Sequence, residues 1–244
     1  MSADESARTP GASDLVLSID EVRRTFVIED VTDSPGRMNW AFDLIVQGYF
    51  SMSSQTLDPN EIRQEVCDDL YHRHGFARTL VLTGRHPETG EREPMGTVRI
   101  NVAPPAAKDL GLHPLEAMAL MVPRGGWENF RFEGFVLDQV AEGGRIAVSP
   151  TCRVGKSREF GLAAIVLRAL VEEGFRFARE RHDRSQYWGI LPDYVRERFT
   201  SLGVHTRPAP DMLFRADKNR ALFAKYDRYW LHSQPQFCKV LVDC

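Results

Sequence analysis

The sequence is poor in the features that fix a function at sight. Its four cysteines, Cys67, Cys152, Cys238 and Cys244, form no CxxC pair. Without zinc-ribbon or redox spacing, and with no export signal, they read as free thiols. No apolar run approaches the roughly 20 residues that a membrane span needs. The opening MSADESARTPGASD is polar and lacks the apolar stretch of a signal peptide. These absences imply a cytoplasmic protein, a disordered tail over residues 1–18 and a single domain over 19–244. The net charge of −3 gives no global basic field, so nucleic acid is not expected as a partner. The histidines are scattered, His72 and His74 do not share a helical face, and no HxxxH occurs, so no metal is expected. No GxSxG elbow is present, and no cysteine has the setting of a nucleophile.

What is present is an alternation of strands and helices. Residues 22–31, VRRTFVIEDV, read as a first strand, and 39–50, NWAFDLIVQGYF, as a helix. Asp58-Pro59-Asn60-Glu61 is a helix start, with an Asp cap, Pro at the first position and Glu three residues on. Ile62, Val66 and Leu70 then recur at one-turn spacing. ARTLVLTGR (77–85) and EPMGTVRINV (93–102) flank HPETGER and predict an antiparallel hairpin. A short helix is expected within 114–122 and a buried strand over 143–149. From Phe160 onward, Ala163, Ala164, Leu167, Leu170, Val171 and Phe175 make one apolar stripe opposed by Arg168, Glu172, Arg176 and Arg179. Strand 185–191 and helix 192–203, opened by Pro and closed by Gly, follow. The last forty residues suggest two strands around a short helix. The order predicts an α/β domain.

Gly155-Lys156-Ser157 imitates the end of a nucleotide-binding loop. The first glycine of GxxxxGK[ST] would stand at 150, where the sequence has Pro150, so the loop cannot wrap a phosphate in that register. Shifted to Arg158, the stretch Arg158-Glu159-Phe160-Gly161-Leu162-Ala163 fits [QR]xxGx[GA]. A strand ends, backbone N–H groups turn inward and a helix begins, which is an arrangement suited to a diphosphate.

With this loop, the strand Glu142-Gly143-Gly144-Arg145-Ile146-Ala147-Val148 before it resembles the E-x-x-R-[LF]-A-V stretch of the acyl-homoserine-lactone synthases and N-acyl amino acid synthases. They are a branch of the GCN5-related N-acyltransferases. The resemblance extends over about residues 39–204, through AFDLIVQGYF, MGTVRI and Leu202-Gly203. It implies a central mixed, mostly antiparallel sheet flanked by helices. It also implies transfer of an acyl group, in this branch a long fatty acyl group, from an acyl carrier protein or coenzyme A thioester to a small amine such as an amino acid. No tightly bound cofactor is implied, and the transfer would be direct. Three departures stand out. Gly144 replaces the usual serine, the loop after Val148 is longer than in common acetyltransferases, and Phe199 replaces the tyrosine that can protonate the leaving thiolate.

The residues divide by role. Glu142 is the candidate base or water-positioning group; the alternative is a strand-end carboxylate paired with Arg145 or with solvent. Arg145 would anchor a substrate carboxylate or brace Glu142. Backbone N–H groups from Ile146 to Val148 would polarise the thioester carbonyl if the strand splays there. Arg153, Lys156, Arg158, Gly161 and Ala163 would hold the phosphates of the donor, or face an acidic carrier. Trp127, Phe130, Phe132 and Phe135 would line an acyl channel or fill an ordinary core, and Glu133 is a second base candidate. Two other outcomes remain open: a short-chain acetyltransferase using acetyl-CoA, and a non-catalytic module that binds an acyl thioester or a protein.

Overall fold

The computed structural model describes residues 18–52, 58–67, 69–153, 161–214 and 235–242. Helix α1 (Ile19–Arg23) opens the described chain through a capping box. The Ser18 hydroxyl accepts from the Glu21 N–H at 3.3 Å, and the Glu21 carboxylate accepts from the Ser18 N–H at 2.7 Å. The strand expected over 22–31 is therefore confined to β1 (Val27–Asp30), because Val22 and Arg23 belong to the capped turn. Helix α2 (Pro35–Met52) covers the helix expected at 39–50 and begins earlier. Its Met38, Ala41 and Ile45 are buried on one face, while Asn39, Trp40 and Asp43 are exposed.

Helix α3 (Pro59–Cys67) starts where the Asp58 cap predicts, with the Asp58 carboxylate accepting from the Asn60 N–H at 2.8 Å. The stripe does not continue to Leu70, however. Asp69 begins a second short helix, α4 (Leu70–Arg73), by accepting from the Tyr71 N–H at 2.9 Å. That cap turns Tyr71 inward and leaves Leu70 48% exposed.

Strands β2 (Ala77–Arg85) and β3 (Arg92–Asn101) form the expected hairpin, with Arg85 opposite Arg92. A 3-10 turn at Pro105–Leu110, helix α5 (Ala117–Leu120) and strand β4 (Met121–Pro123) lead to β5 (Val140–Val148). Then come α6 (Leu162–His182), β6 (Gln186–Leu191), α7 (Asp193–Ser201), β7 (Val204–Pro208), β8 (Met212–Phe214) and β9 (Gln236–Val242).

The main sheet runs β1-β2-β3-β5-β6-β9-β7. Every pair in it is antiparallel except β5 with β6. Strands β4 and β8 pair separately. Both of the last long strands thus complete the main sheet; residues 215–234, where a short helix is expected, lie outside the described residues.

Side chains alternate along β3 and sort the two faces. Val98 and Ile100 join Val166 and Leu170 of α6 in the larger core, together with Tyr187. At Gly96 a Cβ would come within 2.8 Å of both Val166 and Leu170, so the glycine sets how closely α6 lies on the sheet. On the opposite face, α2 packs through Met38 and Ala41 against Val31 and Val81. The segment around Leu115–Leu137 covers Trp188 and Phe237 on that face as well. Thr97, Arg99 and Asn101 alternate with Val98 and Ile100, and all three are buried.

Candidate active site

The β5–β6 ladder is short. Val140, Ala141 and Glu142 pair with Gln186, Tyr187 and Trp188, and the parallel register ends there. On its other side β5 is bulged: Arg99 faces Gly144 and Thr97 faces Ala147, so Arg145 and Ile146 together oppose Val98. Arg145 takes the left-handed conformation at φ 48°, a strained placement for a side chain with a Cβ. Gly143 lies directly under the Tyr187 ring, where a Cβ would overlap the hydroxyl. The parallel pairing to β6 ends after Glu142, four residues before the Ile146–Val148 stretch at which a splay is expected, and the strand stays with β3.

A buried charge cluster stands on the α2 side of this point. Arg99 is its centre, at 1% exposure. Its Nε lies 2.6 Å from Asp69 Oδ2, its Nη2 donates to Asp69 Oδ1 at 3.1 Å and its Nη1 donates to Glu116 Oε2 at 2.8 Å. The guanidinium also covers the Tyr71 ring at 5.1 Å. Arg145 reaches Asp69 Oδ2 at 3.1 Å, and His72 Nδ1 lies 3.0 Å from the same oxygen. The other ring nitrogen of His72 is 2.7 Å from the Thr79 hydroxyl. Burial alone would raise the Asp69 pKa. The His72 hydrogen bond and the Arg99 and Arg145 charges outweigh burial and hold the carboxyl well below the usual carboxylate range.

Glu142 is 5% exposed, and its carboxylate is fully engaged. One oxygen accepts from the Ala117 N–H at 2.8 Å; the other accepts from the Glu116 N–H at 2.6 Å and from Asn101 Nδ2 at 3.3 Å. Burial first, then the Glu116 charge, push its pKa up to about 7, against the two backbone N–H donors and Arg99. A raised acid stabilises the fold fully below its ordinary pKa and loses that contribution as pH climbs through the folded value. Wild type is therefore expected to lose stability relative to Glu142→Gln as pH rises through about 7. Thermal unfolding of both at about pH 5.5 and about pH 8.5 tests this; an unchanged difference between them would refute it. Arg99, Glu116, Asn101 and Tyr187 are the polar groups around the carboxyl in that comparison.

The sequence-predicted residues fall into groups. Glu142 and Arg145 come together at the parting of the strands, yet they do not pair with each other. Arg145 turns to Asp69, with Glu116 4.0 Å away, and Glu142 grips the backbone at 116–117. Among the described contacts the two side chains have separate partners in place of a Glu142–Arg145 brace. Ile146 and Val148 lie on the stretch of β5 beyond the parallel register. Gly161 is the N-cap of α6, and among the described residues no side chain caps the first turn. Its φ of −63° does not require glycine, and a Cβ there would meet no atom of the described residues within 4 Å. Ala163 packs partly against the α6 core. Lys156, Arg158 and the Arg153 side chain lie outside the described residues. Phe199 is 3% exposed in the core, and no phenol occupies its place. Glu133 is engaged elsewhere, ion-paired with Arg207 at 2.7 Å.

Asp69, His72, Arg99 and Glu116 escaped sequence reasoning. The one signal for Arg99 is a charged residue in a strand flanked by strands on both sides.

The aromatic stretch serves two purposes. Phe130 and Trp188 are buried, and Trp188 stacks on Phe237 with centroids 4.8 Å apart. Trp127, Phe130 and Phe135, with Met118 and Leu137, also line an open cleft of about 270 Å³, with Glu128 and Arg131 at its wall. Met118 stands one residue beyond Ala117, whose N–H Glu142 holds.

No protein-family profile matches the chain, and no curated protein matches it. Solved structures do. Ribosomal-protein-S5-alanine acetyltransferase from Vibrio fischeri is 8% identical, with 89% of this chain and 93% of that chain covered and a TM-score of 0.42. Spermidine N-acetyltransferase from Vibrio cholerae is 9% identical over 89% and 92% of the two chains, at a TM-score of 0.39. A CoA-dependent acyl-homoserine lactone synthase is 14% identical over 82% and 88%, at 0.43. On its own topology the chain is an α/β protein whose mixed, mostly antiparallel sheet is flanked by helices and contains one parallel pair that parts after Glu142.

Proposed function

We propose that the chain is an N-acyltransferase. It would move an acyl group from a phosphopantetheine thioester, carried by coenzyme A or an acyl carrier protein, to the amine of an amino acid or a related small molecule. The observation that carries this reading is the placement of Glu142 and Arg145. Both sit where β5 leaves β6, beside a buried charge cluster, on the strand that precedes α6.

The chemistry follows from that placement. The parted strands leave a gap in which the donor's arm lies along Gly143–Val148. The first N–H groups of α6 take the phosphates, since the first turn of a helix carries N–H donors with no intrahelical partner. The amine, freed of one proton, attacks the thioester carbonyl carbon. A C–N bond forms, the C–S bond breaks, and the second proton passes from nitrogen to the departing thiolate. Backbone N–H groups of the bulged strand stabilise the oxyanion between these steps. The aromatic cleft, lined by Trp127, Phe130 and Phe135, supports a long acyl chain over an acetyl group.

The test is mass spectrometry of lipid extracts from a bacterial host expressing wild type, Glu142→Ala or Gly161→Trp. New N-acyl amino acids are expected with wild type, falling by about a hundredfold or more in Glu142→Ala and in Gly161→Trp, whose indole would crowd the N–H groups of the first helical turn. A well-folded protein that yields no new lipid but turns over acetyl-CoA would make it a short-chain acetyltransferase. Failure of both would leave a thioester-binding module, the reading that a phenylalanine at 199 favours.

A further inference from the structure

The cluster holds three carboxylates, and two of them are sealed. The Asp69 side chain is 1% exposed and is shared by Arg99, Arg145 and His72. Glu142 is 5% exposed, with both oxygens on backbone N–H groups. The Glu116 side chain is 32% exposed. Arg99 fixes its Oε2 at 2.8 Å, whereas among the described residues the cation nearest its Oε1, Arg145 Nη2, is 4.0 Å away. Its main chain is pinned as well, because the Glu116 N–H donates to Glu142 at 2.6 Å.

We propose that Glu116, and not Glu142, is the carboxylate that meets the acceptor, binding its ammonium group through Oε1; Glu142 is a positioning residue that holds Glu116 in place. This rests on the N-acyltransferase reading above. Among the described residues, Asp69, Glu116 and the buried Glu142 carboxyl share two permanent cations, Arg99 and Arg145, and of the three Glu116 alone keeps an oxygen beyond close ion-pair range of both. An ammonium brings three donors to an oxygen already oriented by Arg99 on its partner atom. It also offsets the repulsion between Glu116 and the buried Glu142. The geometry predicts selection for a cationic amine, with Met118, two residues on, opening to the aromatic cleft.

Steady-state kinetics on the full chain test the assignment. The standard amino acids serve as acceptors, and dodecanoyl-coenzyme A or dodecanoyl acyl carrier protein as donor. Glu116→Gln is expected to raise the KM for the amine by about ten- to a hundredfold while leaving the donor KM unchanged, and Glu116→Asp to restore part of the loss. Glu142→Gln should weaken acceptor binding too, and the Glu116→Gln, Glu142→Gln double variant should be no worse for acceptor KM than Glu116→Gln alone. An active wild type whose Glu116→Gln variant keeps the acceptor KM would overturn this inference and leave the acyltransferase reading intact. A wild type silent with both donors and all acceptors would overturn both.

Discussion

Arg99→Met is expected to destabilise the protein by about 3–5 kcal/mol, as does removal of one partner from a buried ion pair. The side chain is 1% exposed and serves Asp69 and Glu116 together. Methionine fills much of the volume but leaves the Asp69 carboxylate, also 1% exposed, with Arg145 as its one permanent cation among the described residues. Asp69 must be ionised to cap α4 and to hold His72, so it cannot escape by taking a proton without loosening that turn. Denaturant unfolding measures the loss. Combining Arg99→Met with Asp69→Leu should cost clearly less than the sum of the two changes, because the charge stranded by the first is removed by the second. A loss under about 1 kcal/mol for Arg99→Met would mean that water reaches the cluster.

The second large effect lies on the same face of the sheet. Trp188→Ala is expected to cost about 3–5 kcal/mol, the range for deleting a buried large aromatic. Trp188 is fully buried, stacks on Phe237 at 4.8 Å and meets Phe135 edge-on at 5.3 Å. Its Nε1 donates to Gln186 Oε1 at 3.1 Å, so alanine also deprives a buried amide of a partner. The space vacated lies beneath Phe130 and Phe135, which line the cleft. Trp188→Phe should recover more than half the loss in thermal unfolding. Equal losses for the two variants would show that the indole hydrogen bond, rather than packing, carries the effect.

Most of the framework was legible from periodicity. The β2–β3 hairpin, α6, β6 and α7 each appear where alternation or a one-turn repeat places them, because these segments bury a regular face. Glycine at 203 and the Asp58 cap fixed two boundaries through turn chemistry. What the sequence hid was decided by non-local cover. TVRIN in β3 alternates polar and apolar residues, and such a pattern ordinarily means one wet face. Here α2 and the 115–139 segment roof that face, so Arg99 and Asn101 become interior groups. Nothing local to Asp69 or Glu116 signals that they converge on one guanidinium from positions 30 and 17 residues away. The capping box at Ser18 was readable but was masked by the β-branched residues that follow it.

The position of β9 bears on how the chain acquires its shape. This strand lies between β6 and β7 and, among the described residues, supplies the only antiparallel partner of each within the main sheet. Until residues 236–242 arrive, β6 has three parallel pairings to β5, and β7 has no neighbour in that sheet. Tyr187 must find Val240 across more than fifty residues, whereas β2 and β3 close on a tight turn. Loop-closure entropy makes such remote pairings late events. The half of the sheet from β1 to β5 can therefore assemble early around the hairpin, and the strand beside the buried charge cluster would acquire its rigid neighbour last. Refolding should show amide protection in β2 and β3 before protection in β6 and β7. A nascent polypeptide halted before residue 236 would expose the edge of β6, a strand rich in aromatic surface and prone to pair with another chain.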